Sequence, residues 1–185
     1  MIFTTERLRL RELTEDDAQS FYQLLADPEV MAYSPSGSLS LEQATKLLTE
    51  YQVMYKNYGF GRWAVETKSN NTFIGYSGLA PLAVCGKSTI ELIFRLQRNA
   101  WGQGYGFEAA KAAVYLAFTR FRLPSIVTLV ETDNEAAKAI VAKLGMKSGD
   151  TINRWGKEVI CYWLKSLPDC CQGMEELFLA QEHSS

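Results

Sequence analysis

Histidine is almost missing from this sequence. His183, beside the chain's last residues, is its only imidazole, which excludes a histidine-centred triad and any multi-histidine metal site. Cysteine is scarce and unpatterned. Cys85, Cys161 and the adjacent Cys170 and Cys171 lack metal-ligand spacing, so free thiols in a reducing cytoplasm are expected. No run approaches the roughly 20 apolar residues that a membrane helix needs. Met1 to Arg7 holds no long apolar stretch, so no signal peptide is read there. Neither charge sign dominates: 19 Lys and Arg stand against 21 Asp and Glu, a net charge of -2, with no global pull toward nucleic acid or an anionic membrane. Together these absences lead us to expect a cytoplasmic protein with no nucleic-acid partner and no membrane partner; they leave monomer and homodimer both open.

What is present suits one globular core. The 185 residues are 47% hydrophobic and 22% charged, enough for one domain and short for two. We place that domain at residues 1–167, with a tail over 168–185 and a single turn within it at 174–179. Leu8 and Leu10 alternate with Arg7, Arg9 and Arg11, the pattern of a half-buried strand whose arginine row faces solvent and deters edge pairing. Thr14 reads as a helix N-cap with Asp16 and Asp17 in the first turn, and Asp27-Pro28 ends that helix. Ser40 and Gln43 form a capping box for a second helix with its apolar stripe at Ala44, Leu47, Leu48, Tyr51 and Tyr55, closed by Gly59.

Strands follow. Arg62 to Glu66 and Thr72 to Leu79 are predicted as a hairpin, Pro81 to Lys87 as a loop, and Thr89 to Leu96 as a buried strand. A helix is predicted from Tyr105 to Arg120, a strand from Ile126 to Val130, and a helix capped by Asp133 or Asn134 and closed by Gly145. Short strands are predicted at Met146 to Ser148 and Val159 to Leu164. No internal repeat or interdomain linker interrupts this order, which describes a mixed α/β single domain.

The segment richest in chemistry is Trp101-Gly102-Gln103-Gly104-Tyr105-Gly106, where a strand hands over to a helix. Glycine lets the backbone approach a ligand closely, and the helix start beyond it offers unpaired N–H groups and a positive dipole end. The combination suits a pyrophosphate. A P-loop is excluded, because Lys and Ser or Thr do not follow the glycines. A dinucleotide fold is a poor match, since Gln97 to Trp101 separates the strand from the glycines; Glu131, at the end of the next strand, is the one residue that would mimic its ribose-binding acid.

Five groups of residues, in order, carry a resemblance. They are Thr5-Glu6-Arg7-Leu8-Arg9-Leu10-Arg11, Asp27-Pro28-Glu29-Val30-Met31, Phe73-Ile74-Gly75, Trp101 to Gly106 with Glu108-Ala109, and Asn134 followed by Lys143-Leu144-Gly145-Met146. The chain thereby resembles the Gcn5-related N-acetyltransferase superfamily, in the branch that includes the ribosomal-protein alanine acetyltransferases. The resemblance implies a mostly antiparallel mixed sheet, helices on both faces, and a V-shaped splay between the family's fourth and fifth strands. Acetyl-CoA is the implied co-substrate. Its pantetheine would pair with the backbone of Ile93, Phe94, Arg95 and Leu96, much as an added strand would. Its diphosphate would sit on the loop Trp101, Gly102, Gln103, Gly104, Tyr105 and Gly106, with Asn134 and Lys138 also holding the coenzyme.

An amine acceptor, small molecule or protein N-terminus, would then attack the acetyl group directly. For the base we select Glu91, with Glu131 as second candidate. The residues that carry a Tyr or Ser acid in relatives align with Val141 and Ala137, so either the thiolate leaves unassisted or a tyrosine elsewhere, such as Tyr76, serves as the acid. Tyr33, Trp63, Tyr76 and Trp101 are candidates for the amine-binding surface or for the core. The absent acid also suits an acyl-CoA-binding sensor with weak catalysis, the principal alternative to an enzyme.

Overall fold

The computed structural model describes residues 2–166; the expected turn at 174–179 and the tail lie outside them. The strands are β1 (Ile2–Thr4), β2 (Leu8–Arg11), β3 (Arg62–Thr67), β4 (Phe73–Val84), β5 (Lys87–Leu96), β6 (Ser125–Glu131), β7 (Lys147–Arg154) and β8 (Lys157–Lys165). The helices are α1 (Ala18–Ala26), α2 (Leu41–Tyr58), α3 (Tyr105–Thr119) and α4 (Glu135–Lys143). One eight-stranded sheet runs β1-β2-β3-β4-β5-β6-β8-β7. Every neighbouring pair is antiparallel except β5–β6. That parallel pair is joined through α3, the crossover a parallel connection requires. Among the described residues no helix is long and apolar enough to cross a membrane.

Strand alternation divides the core between the two faces of the sheet. On one face Leu8, Leu10, Trp63, Val65, Leu92, Leu96 and Ile126 pack against α3 and α4. The side of α3 that they meet is built from Ala109, Ala110, Ala112, Ala113 and Ala117, all fully buried. Alanine keeps helix propensity high while letting the helix lie close to the sheet. On the other face Ala64, Phe73 and Tyr76 pack against α1 and α2. The capping box of Ser40 and Gln43 starts α2, and Gly59 stops it at φ 73°.

Expectations change at the β4–β5 turn and at β7, and β1 was not foreseen. Pro81 to Lys87 is no loop: β4 runs to Val84 and meets β5 across a two-residue turn, Cys85 at φ 50° and Gly86 at φ 68°. Positive φ at both positions is the primed geometry that matches strand twist. Pro81 is tolerated because β4 pairs with β3 only as far as Gly78, so its missing N–H lies on an open edge. The short strand expected at 146–148 extends to Arg154, held by pairing with β8 rather than by any apolar alternation of its own. The three residues of β1 had no periodic signal and form by pairing with β2.

The arginine row keeps Arg7 and much of Arg9 in solvent, as expected, but Arg11 turns into a buried ion-pair network. Arg11 grips Asp17 with two hydrogen bonds of 2.7 Å and reaches Glu66 at 2.6 and 2.9 Å. Asp17 and Glu66 are both buried. Burial pushes the Asp17 carboxyl upward, but the Arg11 hydrogen bonds and the Thr14 N–H outweigh it and hold the group below its ordinary value. Its stabilising contribution is therefore full above the unfolded aspartate pKa and is lost as pH falls through the lower folded value.

Removing the shared cation leaves Asp17 buried without its partner and Glu66 with Arg9 alone, at 3.6 Å. Arg11→Met is expected to cost about 3 kcal/mol at pH 7, and adding Asp17→Asn should restore part of it. Urea unfolding followed by circular dichroism measures both variants; equal stability of Arg11→Met and the parent would show that the network contributes nothing.

Candidate active site

The sheet opens at its one parallel pair. Strands β5 and β6 share a single paired position, Glu91 with Val127. The direction of the amides beyond it follows from one bond. Gln97 donates its N–H to the Ile74 carbonyl on β4. Alternation along the strand then turns Arg95 and Ile93 toward β4, and Phe94 and Leu96 toward β6. Past Leu92, then, Phe94 offers a main-chain donor and acceptor to a gap with no strand in it. The Leu96 carbonyl is capped by the Trp101 indole N–H at 2.8 Å. Of the four β5 residues expected to meet pantetheine, Phe94 and Leu96 face the gap through their backbone, while Ile93 and Arg95 spend theirs on β4.

The glycine loop closes one end of this gap. Gly102 and Gly104 have φ of 72° and 82°, values that disfavour any side chain. Gly104 caps α3, and the first intrahelical bond runs from the Glu108 N–H to the Gly104 carbonyl. The N–H groups of Tyr105, Gly106 and Phe107 precede that ladder and point out of the helix start. At Gly106 a Cβ would stand 3.1 Å from Ile140 Cδ1. Arg7 holds the loop in place. Its guanidinium donates to the Gln103 carbonyl at 2.9 Å and to Glu108 at 2.7 Å, and it lies 4.6 Å from the centre of the Tyr105 ring. Glu108 also accepts from the Thr5 hydroxyl and the Arg7 N–H.

On the other side of the sheet, away from α3, lies Glu91. It is half-buried and makes no hydrogen bond within the described residues. Burial pushes its carboxyl above the ordinary glutamate value, and the charges of Arg62 and Arg154 pull it partly back. Glu131 is placed differently: Lys157 Nζ grips its carboxylate at 2.7 and 2.9 Å. Tyr76 is 2% exposed and sits between Phe21 and Tyr51 in the core. Trp63 is core as well, whereas Tyr33 and Trp101 are 42% and 48% exposed.

Asn134 caps α4, its side-chain oxygen accepting the Ala137 N–H at 3.0 Å, which leaves its amide NH2 outside that bond. Lys138 is held by Glu135 and by the Thr132 carbonyl. Val141 is fully buried, and neither it nor Ala137 carries a proton to give. Cys161 is buried in β8, where desolvation raises its thiol to about 11, and Cys85 is exposed in the β4–β5 turn; both are free thiols. Cys170 and Cys171 lie outside the described residues.

The segment after α1 bridges the gap on this same side. Glu29 pairs with Arg98 at 2.8 Å, and Met31 Sδ lies 2.9 Å from Arg95 Nη1, both at the end of β5. Tyr33 donates to the Asp133 carbonyl and Lys157 to the Ala32 carbonyl, both at 3.4 Å, beyond the end of β6. A cavity of about 660 Å³ lies beside it, lined by Leu24, Glu29, Val30, Arg98 and Trp101.

The sequence marks Arg7 and Glu108 as motif residues without joining them, and gives Arg62 and Arg154 no part in the site. Arg7 and Glu108 are 101 residues apart, so no local spacing announces their contact. Arg62 opens a strand and Arg154 ends one, positions where a lone charge carries no pattern.

The comparisons with known proteins agree with this geometry. Residues 7–147 match the acetyltransferase (GNAT) domain family. The chain is 31% identical over 163 residues to the uncharacterized protein YkkB of Bacillus subtilis strain 168, covering 88% of this chain and 94% of that one. It is 26% identical to the uncharacterized N-acetyltransferase YoaA of the same organism, over 83% of this chain and 87% of the relative. Its fold is similar to the crystal structure of an acetyltransferase from Agrobacterium tumefaciens C58, with a TM-score of 0.78 and 23% identity, over 90% of this chain and 95% of that one. With a splayed parallel pair, a glycine loop at the head of its crossover helix and a family match over most of its length, the chain belongs to the acetyltransferase (GNAT) domain family.

Proposed function

We propose that the protein is an acetyl-CoA-dependent N-acetyltransferase that moves the acetyl group to a primary amine by direct attack, both substrates being bound together. One observation carries this reading: the gap in the sheet exposes the Phe94 backbone at one end and the α3 amides at the other. Pantetheine is an amide chain ending in a diphosphate, and the two sets of main-chain groups match its two ends. Gly102 and Gly104 leave room for close approach. Acetyl-CoA supplies the activated acyl group.

The chain's own residues then have the following parts. The N–H groups of Tyr105, Gly106 and Phe107 hold negative charge at the helix start. The Phe94 N–H is fixed in direction before substrate arrives, so it stabilises charge developing on a carbonyl oxygen without reorganising. Glu91 accepts the proton from the incoming ammonium, directly or through water. The neutral nitrogen bonds to the acetyl carbon, the carbon–sulfur bond breaks with its electron pair leaving on sulfur as CoA thiolate, and the surplus proton on the new amide nitrogen passes to water or to that thiolate. No side chain at Val141, Ala137 or Tyr76 protonates that thiolate in this reading. Glu131, neutralised by Lys157, supports the wall of the site rather than the chemistry.

Gly104→Val places a β-branched side chain at a positive φ beside Arg7. It should weaken acetyl-CoA affinity about tenfold or more, measured by titration calorimetry, with circular dichroism as the check on folding. An unchanged dissociation constant would remove the loop from the site.

Glu91→Gln separates catalysis from stability. A base must be unprotonated, so kcat/KM of the parent should fall with decreasing pH through a value above the ordinary glutamate range near about 4.3. The variant should lose about 100-fold or more in kcat/KM together with that limb of the profile. Because the folded carboxyl binds its proton more tightly than the unfolded one, its ionisation weakens the fold as pH rises through the folded value. The same variant should therefore be no less stable than the parent at pH 8. A full pH profile in Glu91→Gln would clear the residue. Tight acetyl-CoA binding without turnover of any amine would favour the sensor reading.

A further inference from the structure

Seven of the chain's nine arginines fall into two groups; the other two, Arg120 and Arg122, are exposed. Arg7, Arg9, Arg11 and Arg98 are each paired to a carboxylate. Arg62, Arg95 and Arg154 have no ion-pair partner among the described residues, although all three are half-buried. They also converge. Arg62 stacks over the Tyr51 ring at 4.1 Å, and its Nε is buried with no hydrogen-bond partner. Arg95 reaches the thioether of Met31, a weak acceptor, and lies 5.9 Å from the centre of the Tyr76 ring. Arg154 comes from the far side of the sheet, donates one bond to the Ala83 carbonyl and stacks on Trp155. Glu91 lies within the charge field of both Arg62 and Arg154.

Two guanidiniums near one carboxylate, neither held in an ion pair, leave an excess of positive charge on the surface from which an amine would approach Glu91. Guanidinium groups hold carboxylates and phosphates through paired N–H bonds, a geometry an ammonium cannot use. A half-buried cation without a counter-charge is costly, and an incoming anion removes that cost. A polycation would meet like charge at close range.

We propose that the acceptor is an amine that also carries an anionic group, a carboxylate or phosphate, held by Arg62 and Arg154 while its nitrogen faces Glu91. Arg95 adds positive charge at the end nearer Met31. This inference rests on the acetyltransferase reading above and narrows its substrate class. It also assigns specificity to residues that no motif marks. Within the bound acceptor the two charges are separated as the site separates its own, anion toward the arginines and ammonium toward the glutamate.

The test is a thiol-release assay on matched amines with the full chain. The pairs are an α-amino acid against its amide, phosphoethanolamine against ethanolamine, and a peptide with Asp at its second position against the same peptide with Lys. Spermidine serves as the polycation. The anionic member of at least one pair should be preferred by about tenfold or more in kcat/KM, and which pair shows it identifies the source of the anion. Arg154→Gln should remove most of that preference, read as the ratio of kcat/KM between the two members of a pair in the same variant, so that any common change at Glu91 cancels. Arg62→Gln is the second variant, since Arg154 also holds Ala83. Calorimetry with acetyl-CoA, run on the parent and both variants, keeps the two levels apart. Absence of acetyl-CoA binding would overturn the parent reading. Normal acetyl-CoA binding with spermidine or a neutral amine preferred, with the anionic preference intact in both variants, or with no anionic amine acetylated, would overturn this inference alone.

Discussion

Past Leu92, one edge of β5 has no partner strand, and the main-chain groups at Phe94 must find theirs in solvent or in something bound. A buried donor left without a partner costs about 1–3 kcal/mol, so a sheet does not open in its middle without support from both sides. Here the support is the alanine face of α3 beneath β4 and β5, and the Arg7–Glu108 contact that ties the helix start to the β1–β2 turn. The rest of the site is arranged around that opening. The glycine loop sits at one end, Glu91 at its root, and the segment after α1 spans it on the far side.

Charge is divided as sharply as backbone pairing. At β2 a cation and two buried carboxylates satisfy one another, and nothing is left over for a ligand. Around Glu91 the same residue types are left unbalanced. Both regions are half-buried and both are built from arginine and acid, so composition alone does not distinguish them. The difference lies in pairing: Arg9 and Arg11 are ion-paired to two acids in the first, whereas in the second Arg62 and Arg154 stand near Glu91 without an ion pair.

Much of the fold could be read from the letters, for reasons particular to each element. The capping box at Ser40 and Gln43, the stop at Gly59 and the apolar stripe between them set α2 locally, and local signals survive into the structure. The same holds for α4 between Asn134 and Gly145. What failed depended on distant partners. Pro81 read as a loop because a proline rarely enters a strand, yet the edge it occupies needs no N–H. Strand β7 reads as polar because pairing with β8, not burial, holds it. The glycine loop of the candidate site was legible, since conformational demands at Gly102 and Gly104 leave a mark in sequence. The electrostatic half was not: Arg62 and Arg154 come from β3 and β7, and only the folded sheet brings their charges near Glu91.

The segment from Glu29 to Tyr33 fastens one side of the sheet opening to the other, through Arg98 and Arg95 on β5's side and Asp133 and Lys157 on β6's. Two strands joined at a single rung would otherwise pivot like the arms of a compass. With a tie across the open end, the aperture keeps a set gauge before anything enters it. Selection among slender and bulky visitors is then made by a rigid frame, and entropy that a yielding cleft would lose on closing has already been surrendered when the chain folds.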